Sequence, residues 1–476
     1  MQRVETYILR REKNKNDYLA LVDMCHKSKN LYNCVNYILR QCQCNKLENI
    51  PEYSDLVKTE RKVVKSKKDG TQKEYVQNFI SEYDLSKRMS VLKQADYVSL
   101  KAQVSQQTIA LIFKNYKGFH KSISDYSRNP SKYKGKPKLP RYKDKDELNV
   151  AVFTNQCSMI DKNGYLKLSK ELTLKSVRTT ISKHNFRQIR IIPKLDYFKI
   201  EIVYDKTESE YAKQARIRNK KTNNAAIDIG VDNLATITSD NMDSCPLIVN
   251  GRSLKSVNNH YNKRIAKLNQ TYSKQDIHSG RKMRKLNSKR GFIIEDYMHK
   301  ASRRIVDFCI LNDVGTLYIG HNNGWKQNCN MSRRNNQNFV QIPFDRLIQK
   351  LKYKCGEVGI NVVLVNEAYS SKCSFLDGES VGKHDSYKGK RVDRGMFKSH
   401  GGRTINADVN GSLNILKLGT KKEFKVSNKV FNPARLSKID ELNDVAYFKW
   451  QPVDIGCVFQ PDSLTMNNGL TIKDFQ

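Results

Sequence analysis

The sequence predicts a multidomain α+β protein: a helical lobe inserted into a small antiparallel β-barrel or sandwich, followed by an α/β domain. Three observations predict it. Apolar residues recur at helical spacing over residues 17–43 and 101–119, short β-branched or aromatic runs follow after residue 150, and buried strands alternate with helices from Asn224 onward. A chain of 476 residues has room for about two to four domains of this kind.

Taken in order, Arg3 to Leu9 reads as a strand. From Asp17 to Gln43, Leu31, Val35 and Ile38 share one helix face, and Asn33, Tyr37 and Arg40 share the opposite one. RKVVKSKKDGTQKE, residues 61–74, reads as a solvated loop. Lys101 to Phe119 repeats the helical design, with Val104, Leu111 and Ile112 inside and Gln103, Gln107 and Lys114 outside. NPSKYKGKPKLPRYKDKDE is a basic, extended connector, because its prolines end any helix. VAVF, YLKLS, IRIIP and FKIEIVY are the strands of the barrel, which the N-terminal strand completes. Next come strands AAIDIG, LATITS and PLIVNG, helical text from Val257 to Leu311, strand GTLYIG, a helix from Phe344 to Val358, strand INVVLVNE, and helix ADVNGSLNILKLG closed by Gly419. Beyond Lys421 no pattern is legible.

Lys and Arg number 86 against 48 Asp and Glu, a net charge of +38. Such a chain suits a polyanionic partner. Nucleic acid is favoured over a membrane surface, because the basic residues are spread among 24 Tyr and many Asn residues, not gathered on one amphipathic helix. No apolar run approaches the ~18 residues of a membrane span, and the opening MQRVETYILRREKNK lacks the core of a signal peptide. The expectation is a soluble, cytoplasmic protein, nucleoid-associated in a prokaryote. The 11 cysteines are scattered without any C-x-x-C, a pattern of reduced, partly buried thiols. P-loop, H-E-x-x-H, G-x-S-x-G and G-x-G-x-x-G motifs are absent.

In so cationic a chain the informative residues are carboxylates standing where apolar residues are expected. Asp228 lies inside the strand AAIDIG, Glu367 ends INVVLVNE, and Asp408 opens the helix in NADVNG. A carboxylate in a buried strand must be paired or bind a metal, and AAIDIG alone leaves both readings open. Asp408 alone also reads as a helix cap. Together the three acids suit a phosphodiester-cleaving site, in which about two divalent ions share carboxylate oxygens; Mg²⁺, with its oxygen ligands, fits best.

IDIGVDNLATI and RGMFKSHGGRTINADVNGSLNI resemble the first and third RuvC motifs of the transposon-encoded TnpB (OrfB) proteins. IGHNNGWKQ, NFVQIPFDRLIQKLKYKCGEVGI, NEAYSSKCSFLD, LYNCVNYILRQ and KPKLPRY resemble other segments of that family. The resemblance implies an RNA-guided DNA endonuclease related to type V CRISPR effectors. It implies a β-barrel wedge domain (1–12 and 131–215), a helical recognition lobe (13–130), and an RNase H-like (RuvC) nuclease domain (216–420) with a ribbon-like, target-nucleic-acid-binding insert (368–406). Residues 421–476 are then a C-terminal extension.

Two departures stand out. The family's second catalytic glutamate ends the strand that here reads TLYIGHNNG, where Gly320 and His321 stand instead. The next strand ends in Glu367, so the acid moves one strand outward, about 4.8 Å, giving a catalytic, metal-binding trio of Asp228, Glu367 and Asp408. The family's zinc ribbon is reduced to Cys373 with His384 and His400, too few ligands for structural zinc, so packing alone should hold the loop. The implied cofactors are Mg²⁺, with Mn²⁺ as substitute, and a guide RNA; the partners are that RNA and target double-stranded DNA, with no membrane and no obligate protein partner. Asn33, Tyr37, Arg40, Gln103 and Gln107 are the candidates for reading a target-adjacent motif, and Lys138, Arg141, Trp325, Lys326 and Arg394 for holding nucleic-acid backbone. A nuclease-dead RNA-guided repressor and a guide-independent transposase are the alternatives.

Overall fold

The computed structural model describes residues 2–65, 72–168, 172–205, 223–241, 243–322, 333–393, 395–426 and 428–436. It divides into two compact units, Met1–Thr207 and Glu208–Gln476.

In the first unit, strand β1 (Gln2–Leu9) is followed by helix α1 (Lys15–Gln43), hairpin β2 (Lys58–Lys65) and β3 (Gln72–Phe79), and helices α2 (Glu82–Val91), α3 (Ala95–Val98) and α4 (Ala102–Arg128). Strands β4 (Ala151–Thr154), β5 (Met159–Ile160), β6 (Tyr165–Lys167), β7 (Thr173–Arg178), β8 (Phe186–Pro193) and β9 (Phe198–Asp205) come after them. β1 pairs antiparallel with β9 in a sheet of order β1-β9-β8-β4, so all four helices are inserted between strands of one sheet. That sheet and β5-β6-β7 share a core that includes Leu9, Phe153, Leu166, Leu174, Ile189 and Ile200. Leu31, Val35 and Ile38 of α1 pack with Ile109 and Ile112 of α4 in a second core; Leu111 is only half-buried. The solvated loop expected over residues 61–74 is overturned where that stretch is described. Residues 61–65 and 72–74 belong to the paired strands β2 and β3.

The second unit is built on one mixed sheet. Strands β10 (Asn223–Asp228), β11 (Asn233–Ser239) and β12 (Leu247–Asn250) run antiparallel in succession, and β13 (Val314–Gly320) and β14 (Asn361–Val365) add in parallel on the other side of β10. Helices α5 (Arg252–Ser273), α6 (Arg281–Leu311), α7 (Arg333–Gln341) and α8 (Phe344–Glu357) connect β12, β13 and β14. Strands β15 (Lys390–Asp393), β16 (Met396–Lys398) and β17 (Thr404–Asn406) form a small sheet ahead of helix α9 (Ala407–Thr420). Gly419 does not close that helix; Lys421 does, in the left-handed region at φ 54°, while Gly419 leaves room for the Tyr318 ring. The C-terminal text also holds an element that its composition hid: β18 (Ala434–Leu436) pairs in parallel with β12 and extends the sheet to β14-β13-β10-β11-β12-β18. Among the described residues no helix is long and apolar enough to cross a membrane.

Candidate active site

Asp228 is the last residue of the central strand β10, in register with Gly320 at the end of β13, since Ile227 opposes Ile319. It makes no salt bridge among the described residues. Burial pushes its carboxyl well above the ordinary range, the charges of Asp408 and Glu367 push it further, and only Arg391 opposes them. The fold therefore brings the three acids into one electrostatic neighbourhood. Thr236, opposite Asp228 on β11, is buried with its hydroxyl unpartnered.

Glu367 reaches the cluster from the adjacent strand by a short turn. The His321 N–H donates to Val365 O at 2.9 Å, and the Glu367 N–H donates to Asn322 Oδ1 at 3.1 Å, so the ends of β13 and β14 are tied together. The Glu367 side chain then folds over Gly320: a Cβ at 320 would collide with its Oε2 and would lie 2.6 Å from Ile415 Cδ1. Gly320 thus leaves open the space that the Glu367 carboxylate occupies. Oε2 is enclosed and takes no hydrogen bond, and burial pushes the carboxyl up to about 7. His321 faces elsewhere, with Nε2 3.6 Å from Asp345.

Asp408 sits in the first turn of α9 but does not cap it. Asn406 does, accepting from the N–H groups of Asp408 at 3.0 Å and Val409 at 3.3 Å. The Asp408 carboxylate is left to accept from Asn233 Nδ2 at 2.6 Å and to face Arg391 at 3.9 Å. The rest of the motif is spent on docking. A Cβ at Gly411 would lie 2.6 Å from Asp228 Oδ2, Ser412 donates to Ala226 O at 3.0 Å, and Asn410 and Asn414 each donate to Cys373 O at 2.8 Å.

The insert is held by more than packing. Glu379 accepts from the N–H groups of Ser374 at 2.7 Å and Lys388 at 3.0 Å, and Asp377 accepts from those of His400 at 2.8 Å and Gly401 at 3.4 Å. Burial works against the Asp377 charge, but hydrogen bonds from Ser374, His400 and Gly401 hold its carboxyl below the ordinary range. Two carboxylates thus cross-link separate segments of the insert. Cys373 is buried, its thiol donating to Gly382 O at 3.5 Å.

Among the described residues no group of three His, Cys, Asp or Glu side chains stands ready to hold a metal ion. The donor chemistry of the three acids nevertheless fits a hard divalent cation: all are carboxylates, one has an orphaned oxygen, and their mutual repulsion is what a cation relieves.

Several known proteins are similar to this chain. The family model OrfB_IS605, described as a probable transposase, matches residues 202–326, and the Cas12f1-like TNB domain model matches residues 344–415. The TnpB-like protein ORF457 of Acidianus two-tailed virus is 29% identical over 251 residues, 50% of each chain. Over these stretches the chain is similar to TnpB-like proteins. It spans about half the length of that curated relative. A Cas12f1–sgRNA–target DNA complex is similar at 13% identity and TM-score 0.49, with 85% of this chain and 84% of that one covered. The mini-RNA-guided endonuclease CRISPR-Cas phi3 is similar at 9% identity and TM-score 0.44, with 90% and 93% covered.

Elsewhere in the chain, several residues singled out from the sequence are already engaged. Asn33 Nδ2 donates to Lys143 O at 2.9 Å while its Oδ1 accepts from Lys143 N at 2.8 Å. Arg40 donates to Pro140 O at 2.6 Å and lies over the Tyr142 ring at 4.8 Å. Both strap the connector onto α1. Gln103 donates to Gln156 at 2.6 Å and accepts from Thr154 at 3.0 Å. Tyr37 is exposed and Gln107 half-buried; Lys138 is exposed, and Arg141 is paired with Glu147 at 3.0 Å. Trp325, Lys326 and Arg394 lie outside the described residues. Arg391, Asn233 and Gly411 were not legible as site residues; the only signal was the nearness of the last to Asp408 in one motif.

Proposed function

We propose that the protein is an RNA-guided, divalent-metal-dependent endonuclease that cuts guide-complementary double-stranded DNA at one RuvC-type site. The observation that carries this reading is the meeting of Asp228, Asp408 and Glu367, the last lying in the space that Gly320 leaves open. The order of β12-β11-β10-β13-β14, antiparallel on one side of β10 and parallel on the other, supports an RNase H-like domain.

Asp228, Glu367 and Asp408 would hold about two Mg²⁺ ions, Mn²⁺ serving in their place; the metal supplies an activated water and charge stabilisation at the leaving oxygen. Asn233 fixes the orientation of the Asp408 carboxylate, and the Arg391 guanidinium is placed to neutralise a phosphate oxygen beside it. Gly411 lets α9 approach β10 closely enough for Asp408 and Asp228 to share a site. The wedge is residues 1–12 and 131–215 and the recognition lobe residues 13–130. There Tyr37 and Gln107 face the target-adjacent motif and Lys138 the backbone, while Asn33, Arg40 and Gln103 act by positioning. Residues 216–420 form the nuclease, with the insert at 368–406.

The test is single-turnover cutting of guide-matched duplex by protein purified with its RNA. Cutting should vanish in EDTA, return with Mg²⁺, and be lost in Asp228→Ala, Asp408→Ala and Glu367→Gln with guided binding intact; His321→Ala should cut nearly normally. Near-normal cutting by Glu367→Gln would overturn the relocated site. Guided binding without cutting in Mg²⁺ or Mn²⁺ would make the protein a repressor. The family description of a probable transposase favours a second reading, guide-independent cutting and joining; activity without a copurifying RNA would select it.

A further inference from the structure

Beside Asp408 the second unit carries a groove of roughly 780 Å³. The start of α5 lines it with Arg252 and Lys255, the insert sheet with Arg391, and the C-terminal segment with Phe431 and Arg435. These cations are not equivalent. Lys255 is paired with Asp232 at 2.8 Å, and Arg391 leans toward Asp408. Arg252 and Arg435 are exposed and make no ion pair among the described residues. Two uncompensated guanidiniums in a concave site concentrate positive potential and suit phosphate oxygens.

The backbone bearing Arg435 is fixed. β18 pairs in parallel with β12, with Arg435 opposite Ile248, and the alternation of a strand sends Leu436 into the core of the sheet. Val430 is buried with Phe397 and Ile405 of the insert. Phe431 is half-buried on the groove wall with the Arg403 guanidinium 6.0 Å from its ring centroid, so an unpaired base entering here would stack against that ring-and-guanidinium pair. Aromatic face and free cations together describe a path for a single strand.

We infer that Arg252 and Arg435 form a phosphate grip that leads a single DNA strand along this groove to Asp408, which makes the C-terminal segment part of the substrate path. The grip rests on the nuclease reading and deepens it.

The experiment is photocrosslinking of the full chain, in metal-free buffer, to a single-stranded oligothymidylate carrying 4-thiothymidine, read at the peptide containing Phe431. Arg252→Ala with Arg435→Ala should lower that crosslink by about tenfold, and its salt dependence should become shallower by about 0.7 in log–log slope per lost contact. Arg252→Lys with Arg435→Lys should retain most of the yield, and thermal midpoints should stay unchanged because both residues are exposed. Unchanged crosslinking in the double alanine variant, or crosslinks at other peptides alone, overturns the grip. Guided cutting by the same proteins separates the two ideas. A wild type that cuts, with an alanine variant that crosslinks and cuts equally well, removes the grip and leaves the nuclease. A wild type that never cuts yet crosslinks in an arginine-dependent way removes the nuclease and keeps the grip.

Discussion

Glu367 and Glu379 stand close together in the chain and both end in buried surroundings, yet their carboxylates meet opposite fates. Glu379 spends both oxygens on backbone N–H groups of the insert, whereas Glu367 keeps Oε2 enclosed and unpartnered beside two other acids. A buried carboxylate with its lone pairs filled stabilises the fold, and one left open destabilises it until a cation or proton arrives. The contrast teaches which acids are structural. Asp377 and Glu379, the other acids near Glu367 in sequence, are committed to the insert, so neither competes with Glu367 for the third place in the site.

The widest separation between the two regions should appear in catalysis. Asp228→Ala and Glu367→Gln are expected to lower single-turnover cutting by about 10³-fold, while Glu379→Gln leaves the chemistry of a folded molecule largely intact. A parallel loss of cutting in Glu379→Gln with normal folding would break the comparison.

Next in size is Gly320→Ala, expected to cost about 10²-fold in cutting with little change in guided binding, because the new Cβ meets the Glu367 carboxylate. Normal cutting would mean that Glu367 does not work from above Gly320.

A pH series sharpens the contrast through stability. The folded state holds the Glu367 proton more tightly than the unfolded chain does, since the carboxyl is raised from 4.5 to about 7. Its contribution is therefore most favourable at low pH and falls as pH rises through that window, by up to roughly 3 kcal/mol. Thermal unfolding of the metal-free protein should show wild type losing stability relative to Glu367→Gln between those values, with Mn²⁺ closing the gap. An equal response of the two proteins would show that Glu367 is not a strained group.

Glu379→Gln should have the reverse sign, costing about 2 kcal/mol of local stability by weakening the bonds to Ser374 and Lys388; hydrogen exchange at those amides reports it. The smallest expected effect is from a zinc-selective chelator, which should leave exchange in the insert unchanged. Stoichiometric zinc, lost when Cys373 and His384 are replaced together, would show that carboxylates are not its cross-links.

Much of this was legible along the chain because it depends on period and local chemistry. The helical spacing of Leu31, Val35 and Ile38, the buried strand AAIDIG, and the acids at element ends are written in short windows, and so are the family motifs. What short windows do not hold is which partner a polar group finds across the fold. The sequence by itself determined that Asp228 lies in a buried strand, that Glu367 ends a strand and Asp408 opens a helix, and that Gly320 and His321, not an acid, come directly after Ile319. Only the tertiary structure decided that Gly320 is the space Glu367 fills, that Asn33 and Arg40 hold a connector far along the chain, that Arg391 reaches Asp408, and that Ala434–Leu436 edges the central sheet. The reason is physical: hydrogen bonds, steric room and strand pairing are settled between segments distant in sequence, and each exists only once the sheet has brought those segments together.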